Sequence, residues 1–183
     1  MKRILLGLFS ALATLTALSV SSCKVDKCKA IVCANSGDCD KDDGSCECHI
    51  GYEGERCETI TRDRYMGAYT VDEDGTVSNV ARYAVSVETG AQIDQIKIRN
   101  FNNQTNAYVY ATVRGDSMFI ASQSYQVGAI TKTVVGYGVI IPGETVNYYQ
   151  HATIRLHYRV SSSDGVTDDF GYQDSGQPSV WIK

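Results

Sequence analysis

The cysteines of this 183-residue chain are confined to its first third, and this distribution constrains the fold more than any other feature. Six of the seven lie between residues 28 and 57, and none follows Cys57. A segment this short buries too little apolar surface to fold without cross-links, whereas a long cysteine-free segment must depend on an apolar core. Two domains that are stabilised in different ways are therefore predicted.

The seventh cysteine, Cys23, follows a segment with the layout of a secretory signal peptide. Lys2 and Arg3 precede an apolar segment at 4–20, which is too short and too rich in Ser and Thr for a membrane-spanning helix. The sequence VSSC resembles the lipobox of bacterial lipoproteins. That resemblance implies that residues 1–22 are a lipoprotein signal peptide and that Cys23 carries the lipid, palmitate included, on a short tether at 23–27.

The residue after Cys23 bears on localisation. Lys24 stands where inner-membrane lipoproteins carry Asp, so the resemblance implies an outer-membrane anchor, and CKVDK is similar to the start of surface lipoproteins of Bacteroidota-type bacteria. The periplasmic and the surface-exposed orientation both stay open. Removal of residues 1–22 changes the net charge from −4 to −6, because Lys2 and Arg3 are lost and no acidic residue is. A protein this acidic is a poor nucleic-acid binder.

The cysteine-rich segment has a recognisable spacing. In CEC the single spacer directs Cys46 and Cys48 to opposite sides of an extended strand, so the two need different partners. With CANSGDC in the middle and CECHIGYEGERC at the end, residues 28–58 resemble an epidermal growth factor-like (EGF-like) module. The resemblance implies three disulfides, which are Cys28–Cys39, Cys33–Cys46 and Cys48–Cys57.

A metal site in this segment is the alternative interpretation. Cys46, Cys48 and His49 are the residue types that bind zinc, but export to an oxidising compartment favours disulfides. The acidic loop at 38–43 is interrupted by Cys39 and does not match the register of an EF-hand. We predict a solvated acidic loop, no metal and no cofactor.

Residues 66–183 alternate apolar and polar side chains with period two, which indicates half-buried strands, and turn signals such as DEDG, RGD, PGE and SDG separate them. After a linker at 59–65, short strands in series predict an all-β, meandering antiparallel β-barrel, with a β-sandwich as the alternative. Gly136 and Gly138 favour the barrel, because glycine permits a close bend of the wall. The predicted apolar rows are Tyr83, Val85 and Val87; Ile96 and Ile98; Val109, Ala111 and Val113; Met118 and Ile120; Val135, Tyr137, Val139 and Ile141; and Ile154, Leu156, Tyr158 and Val160.

The start of this domain resembles the first strand of a known family. MGAYTV, residues 66–71, is similar to the G-x-W strand of lipocalins, with Tyr69 in place of Trp, and the whole pattern is similar to lipocalin-like domains of bacterial lipoproteins. The resemblance implies a lipocalin-like barrel, with the carriage of a small apolar ligand as an alternative function. We expect a mostly filled interior with a shallow pocket near one end; a continuous apolar cavity of about 300 Å³ would instead indicate a carrier.

Catalytic patterns are missing from the sequence. His49, His151 and His157 belong to no HExxH, G-x-S-x-G or P-loop motif. The acidic clusters at 72–74 and 168–169 lie beside turn signals and are predicted to be solvated rather than paired acid–base groups. We therefore predict that the protein is not an enzyme.

Two short motifs lie at residues 114–118. Arg114-Gly115-Asp116 spells an integrin-binding tripeptide, but Gly-Asp between two apolar segments predicts a tight hairpin turn. Asp116-Ser117-Met118 resembles the O-glycosylation site of Bacteroidota, so Ser117 is a candidate for modification.

Four basic residues, Lys97, Arg99, Arg155 and Arg159, point away from the predicted apolar rows. If their strands are neighbours they form a basic stripe suited to phosphate groups or acidic glycans; otherwise they belong to an ordinary solvated face.

The leading hypothesis is a non-enzymatic cell-envelope lipoprotein, a binding or adhesion module on an EGF-like spacer. The alternatives are a lipocalin-like carrier of a small apolar ligand and an unrecognised enzyme. Beyond the membrane that holds the anchor, the partner classes left open are a protein, a glycan and a small apolar ligand, with nucleic acid excluded.

Overall fold

A computed structural model of the protein describes residues 26–143, 145–146, 149–150, 152–173 and 175–183. The predicted signal peptide, Cys23 and His151 lie outside the described residues. The described part contains three 3-10 helices, at Lys27–Ala30, Thr61–Tyr65 and Phe101–Asn103. No helix in it has the length and apolar character needed to cross a membrane. Its strands are β1 (Asp38–Cys39), β2 (Cys46–Glu47), β3 (Tyr52–Glu53), β4 (Thr59–Ile60), β5 (Gly67–Glu73), β6 (Ala81–Thr89), β7 (Gln95–Arg99), β8 (Tyr108–Arg114), β9 (Ser117–Val127), β10 (Ile130–Ile141), β11 (Thr145–Val146), β12 (Tyr149–Gln150), β13 (Thr153–Ser162), β14 (Thr167–Phe170) and β15 (Ser179–Ile182).

The amino-terminal region is a disulfide module that consists of two hairpins, β1–β2 and β3–β4. Within residues 28–58 only Gly51 and Cys57 are buried, so apolar packing contributes little here. Three disulfides hold the segment together instead. They are Cys28–Cys39, Cys33–Cys46 and Cys48–Cys57, the same pairs that the resemblance implied.

The carboxy-terminal region is a closed antiparallel barrel of eight strands. Strands β5 to β10 follow each other as a meander, β13 pairs with β10, and β15 closes the ring by pairing with both β13 and β5. Strand β14 pairs with β13 beyond the end of β15. The predicted all-β fold and barrel are confirmed, and the sandwich alternative is wrong.

The alternation of apolar and polar residues builds the core of the barrel. In β8, for example, Val109, Ala111 and Val113 are buried while the residues between them are exposed. Large aromatic rings fill much of the interior: Trp181 lies 6.2 Å from Tyr69, between ring centroids, and Tyr158 stacks on a neighbouring phenylalanine ring. The fully buried large side chains are Trp181, Tyr65, Tyr69, Tyr158, Phe101, Phe170, Ile96, Ile98, Met118, Ile120, Ile154 and Leu156.

Strand β10 differs from the prediction, because its inward row is the opposite one. Gly136 and Gly138 face the interior, since a Cβ atom on Gly136 would lie 2.7 Å from the Tyr158 Cβ and 2.8 Å from the His157 carbonyl oxygen. Strand β13 comes too close here for a larger inward side chain, so the bulky residues must point outward. The inward residues are Val134, Gly136, Gly138 and Ile140, and those placed outward or only partly buried are Val135, Tyr137, Val139 and Ile141.

Residues 59–65, predicted as a linker, are ordered and belong to both regions. Strand β4 completes a hairpin of the disulfide module, and the helix at Thr61–Tyr65 inserts a fully buried Tyr65 into one end of the barrel. The Tyr65 hydroxyl donates a hydrogen bond of 2.9 Å to the Gly115 carbonyl, in the β8–β9 turn. We call this the module end of the barrel. The covalently stabilised module is therefore seated on the packed domain.

Candidate functional site

The exposed large apolar side chains of the barrel strands are concentrated on one side. Six of the seven in the described strands lie on the consecutive strands β8, β9 and β10, and they are between 37% and 48% exposed. They are Tyr108, Tyr110, Phe119, Tyr137, Val139 and Ile141, and the seventh is Ile182 on β15. We define the outward side of β8, β9, β10 and β13 as the aromatic wall.

Strand register brings the rings of the wall together. One row of direct cross-strand partners crosses β8, β9, β10 and β13, and it consists of Thr112, Phe119, Tyr137 and His157. The Tyr137 and His157 rings are parallel within 2° with centroids 5.1 Å apart, and the ring of Tyr172 lies 5.8 Å from that of Tyr137. One row of aromatic side chains therefore runs across the wall.

His157 is held in a defined tautomer on this wall. Its Nδ1 lies 2.9 Å from the Gly171 carbonyl oxygen, which can only accept a hydrogen bond, so Nδ1 carries the proton. In the neutral ring Nε2 is then an acceptor. His157 thus adds a hydrogen-bond acceptor to the aromatic row.

The charge on the wall has one sign. Strands β8, β9, β10 and β13 contain no Asp or Glu, whereas Arg114, Arg155 and Arg159 point outward from them. On the other side of the barrel the strand arginines form ion pairs, Arg82 with Asp72 at 2.9 Å and Arg99 with Glu88 at 2.7 Å. The wall is therefore basic and aromatic on a protein that is acidic overall.

The predicted basic stripe is divided between two sides of the barrel. Lys97 and Arg99 lie on β7 and Arg155 and Arg159 on β13, and these strands are four places apart in the ring of eight. The condition of neighbouring strands is not met, so the four residues do not form one stripe. The Lys97 ammonium lies over the Tyr108 ring at 4.4 Å, and Arg99 pairs with Glu88 at 2.7 Å.

Arg114 completes the basic set of the wall and was not predicted. The sequence assigned Arg114 to the hairpin motif Arg114-Gly115-Asp116, and it was therefore not included among the four predicted basic residues. The sequence did contain a signal for this surface, however. Once the bounds of β8, β9, β10 and β13 are known, the sequence shows that these four strands contain no Asp or Glu.

The hairpin at Arg114-Gly115-Asp116 forms the predicted turn between β8 and β9, with a φ of +52° at Gly115. The Asp116 carboxylate accepts a hydrogen bond from Arg64, and the same guanidinium binds Glu53 of the disulfide module. Asp116 is thus part of the junction between the two regions. Ser117 begins β9 next to this turn and is partly buried; its glycosylation stays a prediction.

One acidic cluster departs from the predicted solvated state. Glu73 is 7% exposed, because it follows Tyr69 and Val71 in the inward row of β5. Its carboxylate accepts hydrogen bonds from the hydroxyls of Tyr83 (2.7 Å), Tyr158 (2.8 Å) and Ser179 (3.0 Å). Burial raises the pKa of this carboxyl, and the three hydroxyl donors oppose that shift without cancelling it.

The second acidic cluster is structural as well. Asp169 is 6% exposed and accepts the backbone N–H of Tyr172 at 2.7 Å. Asp168 accepts the backbone N–H groups of Val77 at 2.9 Å and Ser78 at 3.2 Å. Both carboxylates hold loops, and the interpretation of the pair as merely solvated charge is wrong for Asp169.

A cavity of about 410 Å³ opens at the module end of the barrel. Three of its lining residues, Asp63, Arg64 and Lys183, carry charge, so its wall is not continuously apolar. The remaining lining residues are Ile140, Pro142, Gly143 and Ala152.

The described residues contain no group of three or more His, Cys, Asp or Glu side chains arranged to hold a metal ion. Comparisons with protein-family models, with curated proteins and with solved structures find no match to this chain.

Proposed function

We propose that the protein is a non-enzymatic cell-envelope lipoprotein that is displayed on the cell surface and whose barrel binds an extracellular partner through the aromatic wall. In this proposal the lipid on Cys23 anchors the chain in the outer membrane, and an EGF-like module separates the lipocalin-like barrel from the anchor. The observation that carries the proposal is the concentration of exposed rings and unopposed arginines on four adjacent strands.

The physical reason is the cost of such a surface. Exposed apolar side chains are unfavourable in water, so proteins rarely present large contiguous apolar patches, and those that exist usually belong to interaction sites. Aromatic residues and Arg are also the residue types that are enriched where proteins bind partners. Phe119, Tyr137 and Arg155 combine both properties within neighbouring strands.

The disulfide module suits the role of a spacer. It is held by three disulfides and is fixed to the barrel by Arg64, which hydrogen bonds to Glu53 and Asp116. Cys23 lies only a few residues before the module. A lipid at Cys23 would therefore place the module between the membrane and the barrel and leave the wall accessible from the side.

A second candidate function is the carriage of a small molecule in the cavity at the module end. The volume of about 410 Å³ lies within the range of ligand sites. It is the weaker candidate, because Asp63, Arg64 and Lys183 interrupt the apolar lining of the cavity and because Trp181 and Tyr158 fill much of the barrel interior.

The anchor is tested by metabolic labelling with a fatty acid in a bacterial host that expresses the full chain. Label should be found on the wild-type protein and be lost in Cys23→Ser. Label that persists in this variant would refute lipidation at Cys23.

The binding role is tested with the same cells on surfaces coated with polygalacturonate, dextran, poly-glutamate or gelatin. Wild-type cells should adhere to at least one of the four, and Phe119→Ser/Tyr137→Ser should reduce adhesion about tenfold or more. Ile182→Ser, which removes a similarly exposed apolar residue outside the wall, is the matched control and should adhere like the wild type. Equal adhesion of all three strains to every surface would contradict the proposal.

A further inference from the structure

We infer that the aromatic wall recognises an acidic glycan, a chain of sugars that bears carboxylate groups; this rests on the proposed function and names its ligand class. The three features that point to this class are the spacing of the arginines, the row of rings and the pairing of the central strand β10 on both sides.

The first feature is a set of cations that form no ion pair with any described residue. Arg114 and Arg155 are exposed, and Arg159 donates a hydrogen bond to the Gln173 side-chain oxygen at 2.8 Å and lies over the Tyr172 ring at 5.5 Å. Asp169, the cross-strand partner of Arg159 on β14, is buried and accepts the backbone N–H of Tyr172 instead of pairing with the guanidinium. Since their own strands carry no acidic residue, these guanidiniums are available to an external anion. A planar guanidinium binds a carboxylate with two parallel hydrogen bonds.

The second feature is the position of the rings relative to these cations. His157 lies between Arg155 and Arg159 on β13, and the two arginines, four residues apart on one strand face, are about 13 Å from each other. Phe119 and Tyr137 continue from His157 across β10 and β9. An acidic sugar chain laid along β13 would thus meet cations and rings in alternation.

Rings and sugars are chemically matched. One face of a pyranose ring presents C–H groups, which are attracted to the electron-rich face of an aromatic ring. The sugar hydroxyls can donate to His157 Nε2 and exchange hydrogen bonds with the Tyr137 hydroxyl. A neutral sugar could contact only these rings and hydrogen-bonding groups. An acidic sugar could in addition form ion pairs between its carboxylates and the arginines.

The third feature argues against an acidic peptide that binds by strand addition. An extended peptide can gain affinity by adding a strand to an exposed sheet edge. On the wall, β10 is hydrogen bonded to β9 on one side and to β13 on the other, because the barrel is closed. Phe119, Tyr137 and His157 lie where β8, β9, β10 and β13 are paired with one another, so recognition at this row proceeds through side chains, as is sufficient for a glycan.

The test measures binding of the full-length protein, purified in detergent, to immobilised polygalacturonate, with dextran as the neutral polymer and poly-glutamate as the acidic peptide. Binding to polygalacturonate should exceed binding to each of the others at least tenfold and should weaken as salt rises. Arg155→Gln/Arg159→Gln should lower the affinity for polygalacturonate about tenfold or more. Unfolding curves followed by Trp181 fluorescence show that each variant is folded.

The matched control is Arg82→Gln/Arg99→Gln, which removes two positive charges outside the wall, on β6 and β7, where they pair with Asp72 and Glu88. It should keep at least half of the wild-type affinity. Equal losses in the two double variants would overturn the inference in favour of a general charge effect, and equal or tighter binding of poly-glutamate would overturn it in favour of an acidic peptide.

The two proposals fail in different ways. If polygalacturonate does not bind but wild-type cells adhere to gelatin or dextran through Phe119 and Tyr137, the glycan assignment is wrong and the binding role stands. If adhesion to every coated surface is independent of those two residues, both are wrong.

Discussion

The disulfide module and the barrel are both made of antiparallel strands, yet they remain folded for different reasons. The module strands are two residues long, and within residues 28–58 only Gly51 and Cys57 are buried. The barrel strands that close the ring reach twelve residues and enclose Trp181, Tyr158 and a continuous apolar cluster. A short segment must restrict its unfolded state with disulfides, whereas a longer one can stabilise its folded state by burial.

At the junction, side chains of the module and of the barrel contact each other, so the stability of each region should depend in part on the other. Arg64 binds Glu53 of the module and Asp116 of the barrel, and Ile93 in the β6–β7 connection packs against Gly51. The regions are therefore stabilised separately but connected by a small polar and apolar contact. The single tryptophan lies in the barrel, so its fluorescence follows the unfolding of the barrel separately from that of the module.

The largest effect is expected from a cavity in the barrel core. Leu156→Ala should lower the free energy of unfolding of the barrel by about 2–5 kcal/mol, because the Leu156 side chain is fully buried. Urea titration followed by Trp181 fluorescence measures the loss. Arg155→Ala, its outward neighbour, is the control and should change the value by less than about 0.5 kcal/mol. Equal effects of the two variants would show that the barrel does not depend on its core.

The next effect concerns the module. Cys48→Ser/Cys57→Ser should destabilise the module by about 2–4 kcal/mol, because the unfolded segment is no longer cross-linked. Proteolysis within residues 28–58, detected by mass spectrometry, should accelerate accordingly. The Trp181 unfolding midpoint should change little. A large decrease in that midpoint would instead mean that the two regions fold as one cooperative unit.

A smaller effect is expected at the junction. Arg64→Gln should lower the free energy of barrel unfolding by about 1 kcal/mol, because its ion pairs are partly solvent-exposed and such pairs contribute little. It should also increase proteolysis of the module. The control, Arg82→Gln, breaks a more exposed pair with Asp72 and should leave both measurements near wild type. If Arg64→Gln also leaves both unchanged, the contact does not couple the two regions.

The smallest effect is expected from Glu73, where burial and hydrogen bonding act in opposite directions. Its folded-state pKa is raised above the ordinary value of 4.5, mainly by burial, so the folded barrel binds the proton more tightly than the unfolded chain. The barrel should therefore lose stability as pH rises from about 4.5 through the folded pKa. Urea midpoints across this range should decrease more in the wild type than in Glu73→Gln, and parallel curves would contradict the assignment.

Much of the architecture could be predicted from local patterns. The period-two alternation identified the strands, and the clustered cysteines separated the module from the barrel. The inward row of β10 was predicted wrongly, because Val135, Tyr137 and Val139 are as apolar as Val134 and Ile140, and both rows satisfy the alternation. Glu73 was assigned to a solvated turn, because DEDG is a turn signal whose second residue also extends the inward row of β5.

The sequence by itself determined that two regions differ in how they are stabilised, that one of them depends on disulfides, and that the segments of β8, β9, β10 and β13 lack acidic residues. These are properties of the composition and of residues close together in the sequence, and they do not depend on how the chain folds. Tertiary structure alone decided which strands are adjacent: closure of the ring placed Arg155 and Arg159 opposite Lys97 and Arg99, and beside Phe119 and Tyr137. The approach of β13 to Gly136 then directed the Tyr137 ring outward, because the interior had no space for it.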